Sequence, residues 1–183
     1  MIRVAGGTNL INAEEILKRV GVGQGMKVGD FGCGGTGYFT LTAGQLAGEE
    51  GKVYAVDVLK GVLSGVAEKV KARGLSNVEM VWSNLEIYGA TKIEGASLDF
   101  GMLVNTLYQT TKDEEVIKEV VRTIKPGGKL LVIDWKNEEI PLGPPKEKRV
   151  ETEEVKRAAI GLGLREVDNF EAGPYHLAMV FVK

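Results

Sequence analysis

Between positions 30 and 37 the chain reads Asp30-Phe31-Gly32-Cys33-Gly34-Gly35-Thr36-Gly37, with a β-type apolar run before it and a helix-type run after it. Glycine at that density does not belong inside a helix or strand, where each one costs roughly 0.5–1 kcal/mol relative to alanine. The segment is therefore a turn that carries a strand directly into a helix. A residue without a Cβ suits a sharp change of direction, and it also lets a ligand approach the backbone closely. Gly32, Gly34 and Gly37 satisfy the spacing Gly-x-Gly-x-x-Gly, and Asp57 follows twenty residues after Gly37 at the end of the next β-type run. An acidic side chain there can accept hydrogen bonds from two ribose hydroxyls, so the pattern points to a nucleoside-containing ligand. The competing structural reading is a turn that merely packs helix on strand.

The rest of the chain repeats the alternation. Strands are expected over Met26–Phe31, Lys52–Val58, Asn77–Trp82, Ser97–Val104 and Lys129–Trp135. Helices are expected over Tyr38–Ala47, then from Leu59 through Leu63, Val66 and Val70 to a close at Gly74, and after a capping Asp113 with Val116, Ile117, Val120, Val121 and Ile124 on one face. Before all of these, Asn12-Ala13-Glu14-Glu15 reads as a capping box for a short helix ended by Gly21. Residues 84–96 are irregular, with room for one short helix. Pro126-Gly127-Gly128 reads as a tight turn, with proline setting φ and glycine supplying φ > 0. Thr152 is expected to cap a last helix that ends near Gly161–Gly163. Two strands then follow, Leu164–Phe170 and His176–Val182, joined as a hairpin around Glu171-Ala172-Gly173-Pro174. This order predicts an α/β fold: a doubly wound, mostly parallel seven-stranded sheet with helices on both faces and an antiparallel closing pair. The 183 residues suffice for one domain with a substantial core, with residues 1–11 as a flexible arm or lid and 137–151 as a long surface connection.

Composition removes several function classes. A formal net charge of -2 does not suit a general nucleic-acid binder, which needs a positive surface to neutralise phosphates. One cysteine allows no internal disulfide and fits a reducing compartment. With one histidine and one cysteine, no metal site of the His/Cys type is expected. No basic-then-apolar leader and no apolar run of roughly 18 residues is visible, so the expectation is a soluble cytoplasmic protein without a membrane span. Nothing in the sequence indicates an oligomeric state.

The ligand is narrowed by resemblance. Lys27-Val28-Gly29-Asp30-Phe31-Gly32-Cys33-Gly34 resembles the first motif of the class I S-adenosylmethionine-dependent methyltransferases, and Val53-Tyr54-Ala55-Val56-Asp57 resembles their second. Val81-Trp82-Ser83-Asn84-Leu85 sits where their third motif contacts adenine, and Leu98-Asp99-Phe100 through Asn105 resembles their fourth strand. Ile124-Lys125-Pro126-Gly127-Gly128-Lys129-Leu130 is similar to the turn before their fifth strand, and the terminal hairpin is similar to the end of their sheet. The likeness covers roughly residues 12–183 and is nearest to the small group that includes quinone-biosynthesis methyltransferases. It implies S-adenosylmethionine as cofactor and a small-molecule acceptor. Asp30 is then expected to orient the loop, and Gly32, Cys33 and Gly34 to allow close approach of the methionine and ribose portions. Asp57 is expected to hold the ribose, Val58, Asn84 and Leu85 to surround the adenine, and Asn105 to face the reacting centre. The family's last glycine arrives one residue late here, so either Gly35 or Gly37 fills that position. Asn84 stands where the family often carries Asp.

Other candidates are weaker. Cys33 reads as a small residue in a tight turn rather than a nucleophile, since no base or positive field is suggested beside it. His176 is either a general base near the sheet edge or a structural or surface residue of the hairpin. Trp82 and Trp135 fall at strand ends, where they either pack in the core or line a site for an aromatic ligand. Asn105-Thr106-Leu107-Tyr108 has the Asn and Tyr of the Asn-Pro-Pro-Tyr motif of amino-group methyltransferases but neither proline. Tyr108 is therefore expected as a pocket wall. Lys146, Lys148 and Arg149 read as a solvated surface or as a contact for an acidic ligand. The rival functions are an NAD-dependent oxidoreductase and a non-catalytic adenosyl-cofactor-binding protein.

Overall fold

A computed structural model describes residues 10–183 of the chain. The expected arm falls mostly outside the described residues. Of it, Leu10 and Ile11 are described, and Ile11 is buried. Helix α1 (Ala13–Val20) starts as the sequence predicts: the Asn12 side chain accepts from the Glu15 N–H at 3.2 Å. The Glu15 carboxylate accepts from the Asn12 side-chain amide at 3.3 Å, so the return bond joins the two side chains rather than reaching the Asn12 backbone N–H of a full capping box.

The strands are β1 (Lys27–Phe31), β2 (Lys52–Asp57), β3 (Val78–Trp82), β4 (Leu98–Val104), β5 (Ile124–Trp135), β6 (Arg165–Gly173) and β7 (His176–Val182). They form one seven-stranded sheet in the order β3-β2-β1-β4-β5-β7-β6. Pairs β1–β2, β1–β4, β2–β3 and β4–β5 are parallel, and β7 runs antiparallel to both β5 and β6. Helices α2 (Tyr38–Ala47), α3 (Lys60–Ala72), α4 (Asp113–Thr123) and α5 (Thr152–Gly161) complete the fold. The expected fold class holds in full.

Sequence alternation explains the two layers. Leu130, Val132, Met179 and Phe181 face α4 and α5, while Leu131, Ile133, Ala178 and Val180 face α1 and α2. Helix α3 packs Leu63, Val66 and Val70 on Leu41 and Ala55. Because both faces are covered, the central strands are apolar on successive residues rather than on every second one.

Four local expectations are corrected. Asp113 and Thr152 are the first residues of their helices rather than the caps, which are Lys112 and Glu151. Asp113 instead places its carboxylate in the first turn, where the helix dipole favours it. Residues 84–96 hold no helix. Their course is set by Glu119, a fully buried side chain of α4 that accepts from the Gly89 N–H at 2.6 Å, from the Thr91 hydroxyl at 2.6 Å and from Arg122 at 2.8 Å. Pro126-Gly127-Gly128 does not stand before the fifth strand but lies within it. Between the pairs Leu98–Ile124 and Phe100–Lys129 the extra residues bulge out, with Gly127 at φ +78°. The Gly127 N–H donates to the Lys183 carbonyl at 2.7 Å, so the bulge is hydrogen-bonded rather than free.

Candidate active site

The strand order reverses between β1 and β4, and in sheets of this kind ligands bind outside the carboxyl ends of the strands at that point. The glycine turn leaves β1 there. Gly32 stands at φ +85°, and a Cβ on it would lie 2.6 Å from the Thr106 hydroxyl oxygen, so only glycine fits. The N–H groups of Gly32 and Cys33 both donate to the Val56 carbonyl, at 2.8 and 3.0 Å, which anchors the turn to β2. Gly34 also has positive φ (+62°), but a Cβ there would meet nothing within 4 Å. Its absent side chain opens onto empty space.

Gly35 and Gly37 differ in kind. Gly37 caps α2 in the left-handed conformation at φ +59°, and a Cβ on it would press on Val66 at 3.0 Å. Gly35 has ordinary φ and open surroundings, so nothing in the backbone requires glycine there.

Two carboxylates frame the turn. Asp57 accepts from the Gly34 N–H at 3.2 Å with one oxygen and from the Leu59 N–H at 2.9 Å with the other. A carboxylate has about four lone-pair sites, so lone pairs remain on both oxygens after these two bonds. Asp30 lies beneath the turn, fully buried, and accepts from the Thr40 hydroxyl of α2 at 2.5 Å. Burial pushes its carboxyl up to about 7; the Thr40 hydrogen bond opposes this and the charge of Asp57 adds to it. Cys33 is buried against both acids. Burial first, and then their charges, push its thiol far above the ordinary range, so it is inert as a nucleophile.

The remaining expected residues lie on the same edge of the sheet. Val58 is exposed, and its carbonyl accepts from the Trp82 indole N–H at 2.9 Å. Trp82 is not a core residue: it is 60% exposed, with the Lys60 ammonium 4.1 Å above its ring. The Ser83 N–H donates to the Asp57 carbonyl at 3.1 Å, which brings the segment after β3 to the end of β2. Asn84 is exposed and accepts from the Glu86 N–H at 2.9 Å, forming an Asx turn. Leu85 is buried in the core facing α4. Asn105 follows β4 at φ +53°, buried, with its N–H on the Ile133 carbonyl at 2.8 Å. Beside it the Thr106 hydroxyl donates to the Phe31 carbonyl at 3.1 Å, tying the β4 loop to the glycine turn.

Farther along this edge, residues 107–113 and 146–151 enclose a cleft of about 640 Å³ that includes Tyr108, Gln109, Lys146 and Lys148. One guanidinium shapes its outer wall. Arg149 donates to the carbonyls of Pro144 at 3.0 Å, Lys136 at 3.4 Å and Leu142 at 3.4 Å, and also to that of Glu138. It is thus spent on the fold of the connection. Trp135 is buried and its ring lies 4.2 Å from that of His176, which is fully buried. Burial, helped by the charge of Lys136, lowers the His176 imidazole to about 4, so it is neutral at physiological pH and is not a surface residue.

Thr40, Thr106 and Arg149 organise this edge in roles that the sequence did not suggest for them. Thr106 reaches a carbonyl 75 residues away, while Thr40 and Arg149 meet their partners only once the turn and the connection have folded. No helix among the described residues is long and apolar enough to cross a membrane. No group of three or more His, Cys, Asp or Glu among them is placed to hold a metal.

Residues 8–144 match the model of the ubiE/COQ5 methyltransferase family. The chain belongs to this family. It is 32% identical over 123 residues to a demethylmenaquinone methyltransferase of Geobacillus sp. (strain WCH70), a match covering 66% of the chain and 50% of that protein. It is 35% identical over 118 residues to the ubiquinone/menaquinone biosynthesis C-methyltransferase UbiE of Cronobacter sakazakii, covering 63% of the chain and 45% of that protein. The chain thus spans about half the length of these ubiE/COQ5 relatives. A solved SAM-dependent methyltransferase from Aquifex aeolicus superposes with a TM-score of 0.86 at 31% identity, covering 97% of this chain and 93% of that one. The family resemblance read from the sequence is therefore correct.

Proposed function

We propose that the chain, as one domain, binds S-adenosylmethionine at the β1–β4 edge and transfers its methyl group to a small hydroxylated aromatic acceptor of the quinol class. One observation carries the first half. Gly34 leaves open space where a side chain would stand, beside an Asp57 carboxylate that keeps lone pairs for hydroxyl donors. The residues present fit the cofactor: Gly32, Cys33 and Gly34 supply backbone, Asp57 accepts from ribose hydroxyls, Val58 offers apolar surface to adenine with Asn84 and the Leu85 backbone at its edge, and Asn105 borders the methyl. Gly37 then fills the last position of the motif as a conformational residue, and Gly35 borders the ligand without being required as glycine.

When bound, the cofactor supplies a methyl group already activated by its sulfonium. The protein's share is alignment and exclusion of water, which accounts for an edge poor in histidine and cysteine. Asp30 holds the turn from beneath through Thr40 rather than touching the reacting atoms. The quinol class is supported by the names of the relatives, and the cleft between residues 107–113 and 146–151 is the space assigned to it. A single buried cysteine suits a reducing, cytoplasmic setting.

Calorimetry with S-adenosylhomocysteine and with NAD tests the cofactor. Binding of the first and not of the second is expected, and the reverse would make the chain an oxidoreductase. Transfer of labelled methyl to a reduced 1,4-naphthoquinone lacking the ring methyl tests the acceptor. Tight cofactor binding without transfer to any quinol would leave a binding protein.

A further inference from the structure

Asp134 is a buried acid with no place in the sequence reading. It lies near the end of β5, facing the α4–α5 layer. Its carboxylate accepts from two backbone N–H groups, that of Trp135 at 2.9 Å and that of Tyr108 at 3.3 Å, and its ionised form is also favoured by the Leu107 N–H. The last two belong to the single 3-10 turn Leu107–Gln109, whose own cap, Thr106, makes no side-chain capping bond. A turn of this kind presents unpaired N–H groups at its start. Here they are gathered by an acid from a neighbouring strand.

The turn matters because Leu107, Tyr108 and Gln109 form the inner wall of the 640 Å³ cleft. The geometry points to Asp134 as a positioning residue for the methyl acceptor: its ionised carboxylate holds the turn in place, and protonation loosens the wall against which the acceptor is seated. This rests on the assignment of that cleft to the acceptor.

Chemistry supports the coupling. An ionised carboxylate accepts backbone N–H bonds about twice as strongly as a neutral group. A protonated carboxyl turns one oxygen into a donor, and a donor cannot face the N–H groups that surround it. Burial brings this ionisation up to about 7; the three N–H groups oppose the rise and the charge of Asp113 at the start of α4 adds to it. The other titratable neighbour is Tyr108 itself, whose phenol is raised by burial and by the Asp134 charge. From α5 and β7 the neighbours are Thr152, Val155, Leu177 and Met179, none of which titrates.

The test uses the whole chain, labelled with nitrogen-15. The backbone amide resonances of Leu107, Tyr108 and Trp135 should move together with pH in the wild type, with a midpoint near 7. They should be flat in Asp134→Asn. With a reduced 1,4-naphthoquinone as probe, Asp134→Asn should raise the acceptor KM by about tenfold, the scale of one hydrogen bond to a charged group. Affinity for S-adenosylhomocysteine should stay within about twofold, because Asn105 and Thr106 on the cofactor side are held by their own bonds to the Ile133 and Phe31 carbonyls. The wild-type KM should also fall as pH rises through 7, and the variant's should not. Amides that do not titrate in the wild type overturn the proposal, and that experiment needs neither the variant nor an acceptor. Titrating amides with an unchanged KM also overturn it. A wild type that methylates no quinol refutes the acceptor assignment instead, while the amide titration still decides whether the latch exists.

Discussion

The two halves of the C-terminal sheet edge are built differently. Around β1 and β2 the ligand side consists largely of backbone: glycines at positive φ, and N–H groups locked to the Val56 carbonyl and the Asp57 carboxylate. Around β4, β5 and β7 it consists of side chains from separate segments, with the buried Asp134 behind the turn that lines the cleft. Backbone geometry is fixed by steric rules that hold for any ligand pose, whereas side chains on loops can change without disturbing the sheet. The first half is thus suited to a ligand common to a whole family, the second to one that differs between members.

That contrast can be broken experimentally, and the largest effect is expected at Gly32. Alanine there is strained at φ +85° and drives its Cβ into Thr106. Together these should cost about 3 kcal/mol of stability in a denaturant titration. A loss below about 0.5 kcal/mol, the scale of an unremarkable surface change, would mean the turn is softer than its geometry indicates. Next comes Asp57→Ala, expected to weaken S-adenosylhomocysteine binding more than about tenfold by calorimetry, the scale of a lost charged hydrogen-bond acceptor. Unchanged affinity in a folded variant would sink the ribose assignment.

A pH dependence runs through both halves. Asp30 and Asp134, raised to about 7, hold protons in the folded chain that the unfolded chain releases. Between about pH 4 and 7 they therefore make stability fall as pH rises. His176, lowered to about 4, acts in reverse: its unfolded form binds the proton first, so stability rises with pH up to about 6.5. Replacing His176 with Gln removes only the rising contribution. Thermal unfolding of that variant should show a steeper decline from pH 4 to 7 than the parent, and an unchanged slope would mean His176 is not held neutral by burial. The smallest effect is expected at Gly35→Ala, under about 0.5 kcal/mol, because its φ is ordinary and its surroundings are open. A large loss there would return the last motif position to Gly35.

Legibility in the sequence follows the same division. The strand–turn–helix unit, Asp57 and the closing hairpin are readable because each depends on neighbours in the chain or on a short periodic pattern. The acids Asp30 and Asp57 stand at strand ends and so announce themselves. Glu119, Asp134 and Arg149 do not. Glu119 looks like any charge on a helix until the residues around Gly89 and Thr91 fold against it. Arg149 reads as part of a basic surface cluster until the carbonyls that it collects are in place. Such partners are chosen by tertiary packing, which periodicity does not encode. Even the Pro-Gly-Gly segment was legible as a break in regular structure, but not as a bulge, because its partner strand end lies at Lys183.

The hub made by Arg149 has a consequence for how this chain can diversify. Four carbonyls between Lys136 and Pro144 converge on one guanidinium, while Lys146 and Lys148 nearby line the cleft. Shape and selectivity are thereby entrusted to different positions of one loop. Mutational libraries that spare the arginine and vary the lysines should search new ligands on an unaltered scaffold, and a lineage could change its chemistry there by the same route.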